Sequence, residues 1–106
     1  MPTTYKLVVC VPLSHADVVR GAMVKAGGGN LGKYSHCSFS VRGVGRFFPG
    51  EGAQPHIGRV GNLEEVEEER IEVTCASDVL ENVIVAIKQV HPYEEAVIDV
   101  YPLENR

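Results

Sequence analysis

One short segment of the chain concentrates the side chains that are most able to do chemistry. His91, Pro92, Tyr93, Glu94 and Glu95 follow one another, so an imidazole, a phenol and two carboxylates fall within a single turn. Imidazole and carboxylate suit zinc or copper, and the same groups can hydrogen-bond a small polar molecule. The alternative interpretation is a turn that ends a helix and leaves its acids in solvent.

A second set of candidate groups lies in a glycine-rich stretch, predicted as an extended loop over residues 43–62. Such long loops are uncommon in compact domains and are usually functional or mobile. Together the two segments predict one ligand site, framed by Glu51, His56, His91, Tyr93 and Glu94. Within it, His91 and Glu94 are the candidate ligands for a divalent metal such as zinc or copper. A mobile loop with solvated side chains is the competing interpretation.

The spacing of apolar residues predicts the elements that position these groups. Strands are expected at residues 5–11, 35–42, 69–75 and 96–101, and amphipathic helices at 14–26 and 77–90, with Ser14 and Ser77 as their caps. The order β-α-β-β-α-β is the split βαβ unit. It predicts an α+β, ferredoxin-like sandwich, in which a four-stranded antiparallel sheet carries both helices on one face. We expect residues 1–106 to form this single domain.

The predicted topology explains how distant segments could form one site. Residues 12–15, the loop at 43–62 and the turn at 91–95 should meet at one end of the sheet, which adds His15 and Glu95 to the same edge. Alternation in the second strand places His36 with Ser38 and Ser40, and we expect that group on the helix-free face.

The first predicted strand is apolar on both sides, with Val8 and Cys10 directed toward the helix-free face. An exposed apolar sheet face of this kind usually receives a partner, and the simplest partner is a second copy of the chain. The sequence therefore predicts a homo-oligomer.

Bulk properties exclude several classes of function. The net charge of −4 argues against nucleic-acid binding, which usually needs a basic surplus. No apolar run reaches the roughly 20 residues that span a bilayer, and the amino terminus lacks the layout of a signal peptide, so we expect no membrane association and a cytoplasmic location. The sequence offers no pairing of nucleophile and base and no complete metal shell, and we therefore expect no enzymatic activity.

Other conspicuous features have plain structural interpretations. Cys10, Cys37 and Cys75 form no C-x-x-C pair and are expected to be buried, reduced thiols. The G-x-G-x-x-G match at 27–32 follows a helix instead of opening one, so it is interpreted as a helix stop. The glutamate-rich run at 64–72 is interpreted as a solvated strand.

Two motifs resemble known families. The H-P-Y-E-E segment at 91–95 is similar to the turn before the last strand of CutA proteins, although Ala96 stands where those proteins usually have proline. A closer resemblance covers nearly the whole chain. The motifs that carry it are Y-S-H-C-S-F-S at 34–40, G-R-F at 45–47, P-G-E-G-A-Q-P at 49–55, I-G at 57–58 and H-P-Y-E-E at 91–95. They resemble the inserted middle domain of YqfO-type proteins, which are NIF-three-like proteins also called GTP cyclohydrolase type 2 homologs.

The resemblance implies a PII/CutA-like module that is a homotrimer. In that family the dinuclear metal site lies in flanking domains, for which a 106-residue chain has no room, so the family's hydrolase activity is not implied. The expected function is a stand-alone regulatory or small-ligand-binding module. The alternatives are a CutA-like divalent-metal-binding protein and, more weakly supported, a structural oligomerisation domain.

Overall fold

The computed structural model describes residues 3–104. Its elements are β1 (Thr4–Pro12), a 3-10 turn (Leu13–His15), α1 (Ala16–Lys25), β2 (Phe39–Phe47), β3 (Glu64–Ala76), α2 (Leu80–Val90) and β4 (Ile98–Pro102). The strand order is β2-β3-β1-β4, and every neighbouring pair is antiparallel. The predicted ferredoxin-like βαββαβ fold is therefore confirmed.

The core lies between the sheet and the two helices. In the register of β1 with β3, Leu7 is opposite Val73 and Val9 is opposite Ile71, so their side chains share the face that the helices cover. The other members of the buried cluster are Val11, Ala16, Val19, Met23, Cys75, Val83 and Ile87. Burial of this apolar surface is the main term that stabilises the domain.

The helix-free face of the sheet is mixed in character, whereas the sequence predicted an apolar face. Val8 is only 2% exposed, but its cross-strand neighbours are Glu72 and Asp99. The Glu72 carboxylate also accepts a hydrogen bond from Arg70 Nε at 3.0 Å. The reason for the difference is that β3 alternates apolar residues toward the helices with charged residues on the opposite side.

The β2–β3 hairpin is longer than predicted. Because β2 continues to Phe47 and β3 begins at Glu64, residues 43–47 of the predicted loop are strand, and the connecting segment comprises residues 48–63. The last residue pair between β1 and β3 joins Pro12 to Glu68. Beyond that point β2 and β3 continue as a two-stranded ribbon, and the molecule is 46 Å long in its longest dimension.

The predicted position of His36 is wrong. Ser40 pairs with Ile71, which is a core residue, so the face of β2 that carries Ser40 is directed toward the helices. His36 itself precedes β2, has a positive φ of 61° and borders α1 beside Asp17 and Lys25. Alternation alone misassigned the faces because β2 is an edge strand. Its polar side faces the helix layer, but the helices do not bury it, so polar residues are tolerated there.

Helix starts and stops were predicted with mixed success. Ser14 and Ser77 do not cap the helices, since the N-cap residues are His15 and Val79 and neither makes a side-chain cap hydrogen bond. The helix stop at Gly27 is confirmed: its φ is +112° and its N–H donates to the Val24 carbonyl at 3.0 Å, as expected just past a helix end.

The three cysteines are free thiols. Cys75 is buried in the core as predicted, whereas Cys10 and Cys37 are only partly buried. Cys37 lies outside the strands because β2 begins two residues later.

Candidate functional site

A cavity of about 270 Å³ lies at the end of the sheet where β1 stops and the β2–β3 ribbon continues. We call it the loop cavity. Its lining residues are Gly45, Arg46, Phe47, Phe48, Pro49, Gly50, Ala53, Pro55, His56, Ile57, Glu68, Tyr93, Glu94, Glu95 and Val97. The glycine-rich segment and the turn after α2 therefore do meet at one end of the fold, as the topology predicted.

Tyr93 and Glu68 form a polar contact in the wall. The Tyr93 hydroxyl donates a hydrogen bond to Glu68 Oε2 at 2.7 Å. The Tyr93 ring packs between Phe47 and His91, with ring centroids 5.8 and 5.1 Å away. Burial, together with this hydrogen bond and the charge of Glu68, raises the pKa of the Tyr93 hydroxyl above its ordinary value. The phenol is therefore protonated at neutral pH and continues to act as a donor.

Gly45 provides the space that the Glu68 carboxylate occupies. A methyl group in place of its hydrogen would overlap the Glu68 carboxylate. Glycine usually weakens a strand interior, and it often marks a place where another group approaches the backbone closely. The glycine at this position of β2 therefore allows Glu68 to reach Tyr93.

His91 orders the turn and does not line the loop cavity. It is 8% exposed, and its Nε2 lies 2.8 Å from the carbonyl oxygen of Cys10. Its Nδ1 accepts a hydrogen bond from the Tyr93 backbone N–H at 3.1 Å. Because a carbonyl only accepts, Nε2 carries the proton. Both ring nitrogens are thus engaged in fixing the turn to β1.

Two contacts attach the glycine-rich segment to the rest of the domain. The backbone N–H of Gln54 donates to Glu94 Oε1 at 2.7 Å. The His56 ring meets the His15 ring edge-on, with centroids 5.7 Å apart. Glu51, by contrast, is exposed and lies outside the cavity lining. Of the predicted site residues, His56, Tyr93 and Glu94 therefore surround the cavity, while His91 supports it and Glu51 does not contribute to its wall.

The arrangement does not form a metal shell around the predicted ligands His91 and Glu94. His91 has no free ring nitrogen, and one Glu94 oxygen already accepts the Gln54 N–H. Among residues 3–104, no group of three or more histidine, cysteine, aspartate or glutamate side chains is placed to hold a metal ion. The prediction of zinc or copper binding therefore gains no support from this geometry.

Sequence reasoning missed Glu68, which it grouped with a solvated glutamate run. Glu68 and Glu69 in fact point to opposite faces of β3. The Glu69 side chain is 12% exposed and forms an ion pair with Arg20 of α1, whereas Glu68 faces the loop cavity. The period-two alternation of a strand would have separated the two glutamates, had the start of β3 been placed at Glu64.

No helix within residues 3–104 is long and apolar enough to cross a membrane. The expected cytoplasmic location stays a prediction.

No protein-family model matches the chain. The chain is similar to a protein of Halalkalibacterium halodurans named GTP cyclohydrolase 1 type 2 homolog, with 48% identity over 108 residues. The match covers 98% of this chain but only 29% of that protein. The chain thus spans less than a third of the length of this curated relative.

Solved structures give the same result. A Bacillus cereus protein related to NIF3 matches with a TM-score of 0.85 and 47% identity, over 98% of this chain and 26% of that chain. The divalent cation tolerance protein CutA of Archaeoglobus fulgidus matches with a TM-score of 0.69 and 17% identity, over 97% and 86% of the two chains. The second likeness shows a shared fold. The resemblances to both groups that were stated from sequence are confirmed.

Proposed function

We propose that this chain is a non-enzymatic, oligomeric module that binds a small molecule. Along almost its whole length it is homologous to one segment of the proteins named GTP cyclohydrolase 1 type 2 homolog, and it has the CutA-like fold. The loop cavity is the proposed binding site. The whole relatives are more than three times as long as this chain, so the activity in their name is not transferred to it.

The observation that carries this proposal is a cavity with the composition of a ligand site. Its walls combine aromatic rings, such as Phe47 and Phe48, with a few polar groups at fixed positions. Tyr93 and Glu68 are mutually oriented, and Glu94 is held by Gln54. Mostly apolar pockets with few convergent polar groups are typical of small-molecule sites.

The proposed oligomer is a homotrimer that associates through the helix-free face. Phe39, Val41 and Tyr101 lie on that face, and Phe39 is 66% exposed. Exposed apolar side chains of this kind favour burial against another copy. Light scattering should give about three times the 11.5 kDa mass of one chain, and a mass of one chain at micromolar concentration would contradict the proposal.

Ligand binding is tested by amide NMR on isotope-labelled protein with a library of small molecules. Binders should shift the amide signals of residues 48–63 and 93–97, because these segments surround the loop cavity. Ligands whose effects map only to α1 or to the carboxyl end of β3 would overturn the proposed location.

The same samples separate the metal-binding alternative. Untagged protein is analysed for zinc and copper by mass spectrometry and then titrated with zinc. One tightly bound metal per chain, together with no binder at the loop cavity, would favour the CutA-like divalent-metal function. If the chain oligomerises but binds neither metal nor small molecule, a structural oligomerisation domain is the remaining function.

The proposed absence of catalysis is tested with GTP. Incubation of the purified chain with GTP should give no product. Turnover that a single substitution in this chain abolishes would overturn the proposal, because a contaminating enzyme would not respond to that substitution.

A further inference from the structure

The loop cavity has an acidic lining. Glu68, Glu94 and Glu95 are the acidic residues of its lining, and Arg46 is its one arginine. Arg46 is itself neutralised, because its Nε donates to Glu65 Oε2 at 2.7 Å. The field of such a lining repels phosphate and carboxylate groups and attracts cations.

Glu68 retains an acceptor for a bound molecule. Its Oε2 receives the Tyr93 hydroxyl hydrogen. The carboxylate lies over Gly45. Among the side-chain hydrogen bonds and ion pairs within residues 3–104, none brings a donor to its other oxygen, Oε1. An ionised carboxylate can accept about four hydrogen bonds, so this oxygen is available inside the wall.

The remaining walls also favour a cation with an apolar body. The rings of Phe47, Phe48 and Tyr93 line the cavity, and aromatic faces attract ammonium and guanidinium groups. The volume of about 270 Å³ is at the lower end of the ~300–1,000 Å³ range of ligand pockets. It matches a molecular body of about one ring.

We propose that the loop cavity binds a small organic cation, an amine or amidine on an apolar body, and that the Glu68 carboxylate pairs with its charged group. This inference rests on the proposed ligand-binding function and adds the class of ligand. The name of the relatives would suggest a nucleotide ligand, and the proposed cationic class excludes one.

Three probes with one phenyl body and different charges test the inference. They are 2-phenylethylamine, which is cationic at neutral pH, 2-phenylethanol, which is neutral, and phenylacetate, which is anionic. Amide NMR titrations of the full chain give a dissociation constant for each probe from the signals of residues 48–63 and 93–97. The amine should bind at least about tenfold more tightly than phenylacetate, because only the amine can pair with Glu68.

Isosteric variants assign the preference to a residue. Glu68→Gln should reduce the amine preference by about tenfold and leave binding of 2-phenylethanol unchanged. Glu67→Gln is the matched control, since Glu67 is the adjacent, exposed carboxylate on the opposite face of β3 and outside the cavity lining. Should Glu68→Gln fail to fold, Glu95→Gln removes a charge from an exposed lining residue and should reduce the preference by a smaller factor.

The outcomes separate this inference from the proposed function. Equal or tighter binding of phenylacetate or 2-phenylethanol at the loop cavity overturns the cationic class and keeps the cavity as a ligand site. An amine preference that survives both Glu68→Gln and Glu95→Gln overturns the role of these carboxylates. If none of the three probes shifts the cavity signals at millimolar concentration, the inference fails, whereas the cavity as a ligand site fails only if the small-molecule library also gives no binder there.

Discussion

The two faces of the sheet are formed by the same four strands but differ in burial and in charge. On the helix-covered face, Val9 and Ile71 are 0% exposed and pack under α1 and α2. On the helix-free face, Val8 is also buried, but its neighbours are charged residues such as Arg70 and Glu72. Phe39, on the same face, is exposed. The comparison teaches that stability is concentrated on one face, whereas the other is available for association. The loop cavity lies at the end of that second face.

The largest expected effect is on assembly and tests the helix-free face. Phe39→Glu should reduce the mass in light scattering from that of the oligomer to that of one chain, because it places a charge in the proposed contact. Val44→Glu is the control, since Val44 is similarly exposed but lies on the opposite side of β2. A variant of Phe39 that keeps the full mass would break the comparison.

The second effect compares two valines in the two environments. Val9→Ala should lower the free energy of unfolding by about 2 kcal/mol or more, because it removes two buried methyl groups and leaves a cavity. Val41→Ala, at a position that is 48% exposed, should lower it by less than about 1 kcal/mol. Because Val41 lies in the proposed contact between copies, denaturant titrations measure both values in the Phe39→Glu background, and equal losses would show that the faces do not differ in this respect.

A third prediction concerns pH and the cavity wall. Since the pKa of Tyr93 is raised in the folded chain, its contribution to stability is fully present below about pH 10, the ordinary pKa of tyrosine. It is lost as the pH rises above that value, because the unfolded chain ionises first. The ultraviolet absorbance of tyrosinate should therefore show a late component that is absent from Tyr93→Phe.

Gly45→Ala sharpens the same measurement. A methyl group at this position displaces the Glu68 carboxylate, so the part of the pKa increase that Glu68 causes should be lost without loss of the fold. The late component should then appear at a lower pH, while burial of Tyr93 still keeps its pKa above the ordinary value. If Gly45→Ala leaves the titration unchanged, the Glu68 contact does not contribute to the shift.

The smallest expected effect is at the rim of the loop cavity. Arg46 and Glu65 form an ion pair in which both side chains are about 60% exposed. Exposed pairs of this kind contribute ~0–1 kcal/mol, so Arg46→Gln should change the free energy of unfolding by less than about 0.5 kcal/mol. A loss above 1 kcal/mol in a denaturant titration would mean that the rim contributes to stability as the helix-covered face does.

The fold could be predicted because its signals are local. Apolar alternation and helical stripes gave the element order, and the order alone brought residues 43–62 and 91–95 to one end of the sheet. The pairing register is not local, and the errors arise from it. His36 was assigned to the wrong side, and Glu68 was grouped with solvated neighbours, because each depends on which residue of an adjacent strand is opposite. The role of His91 was equally hidden, since its partner is a backbone carbonyl 81 positions earlier in the chain.

The ribbon in which β2 and β3 extend beyond Pro12 has a consequence for solubility. Within residues 3–104, β3 pairs with β2 alone along residues 64–67, so one edge of its backbone there is open to a strand that another molecule presents. Three of those four residues are glutamates. Like charges on an open edge repel a second copy of the same edge and oppose aggregation by strand addition. The acidic run thereby protects the part of the sheet that its own fold leaves unpaired.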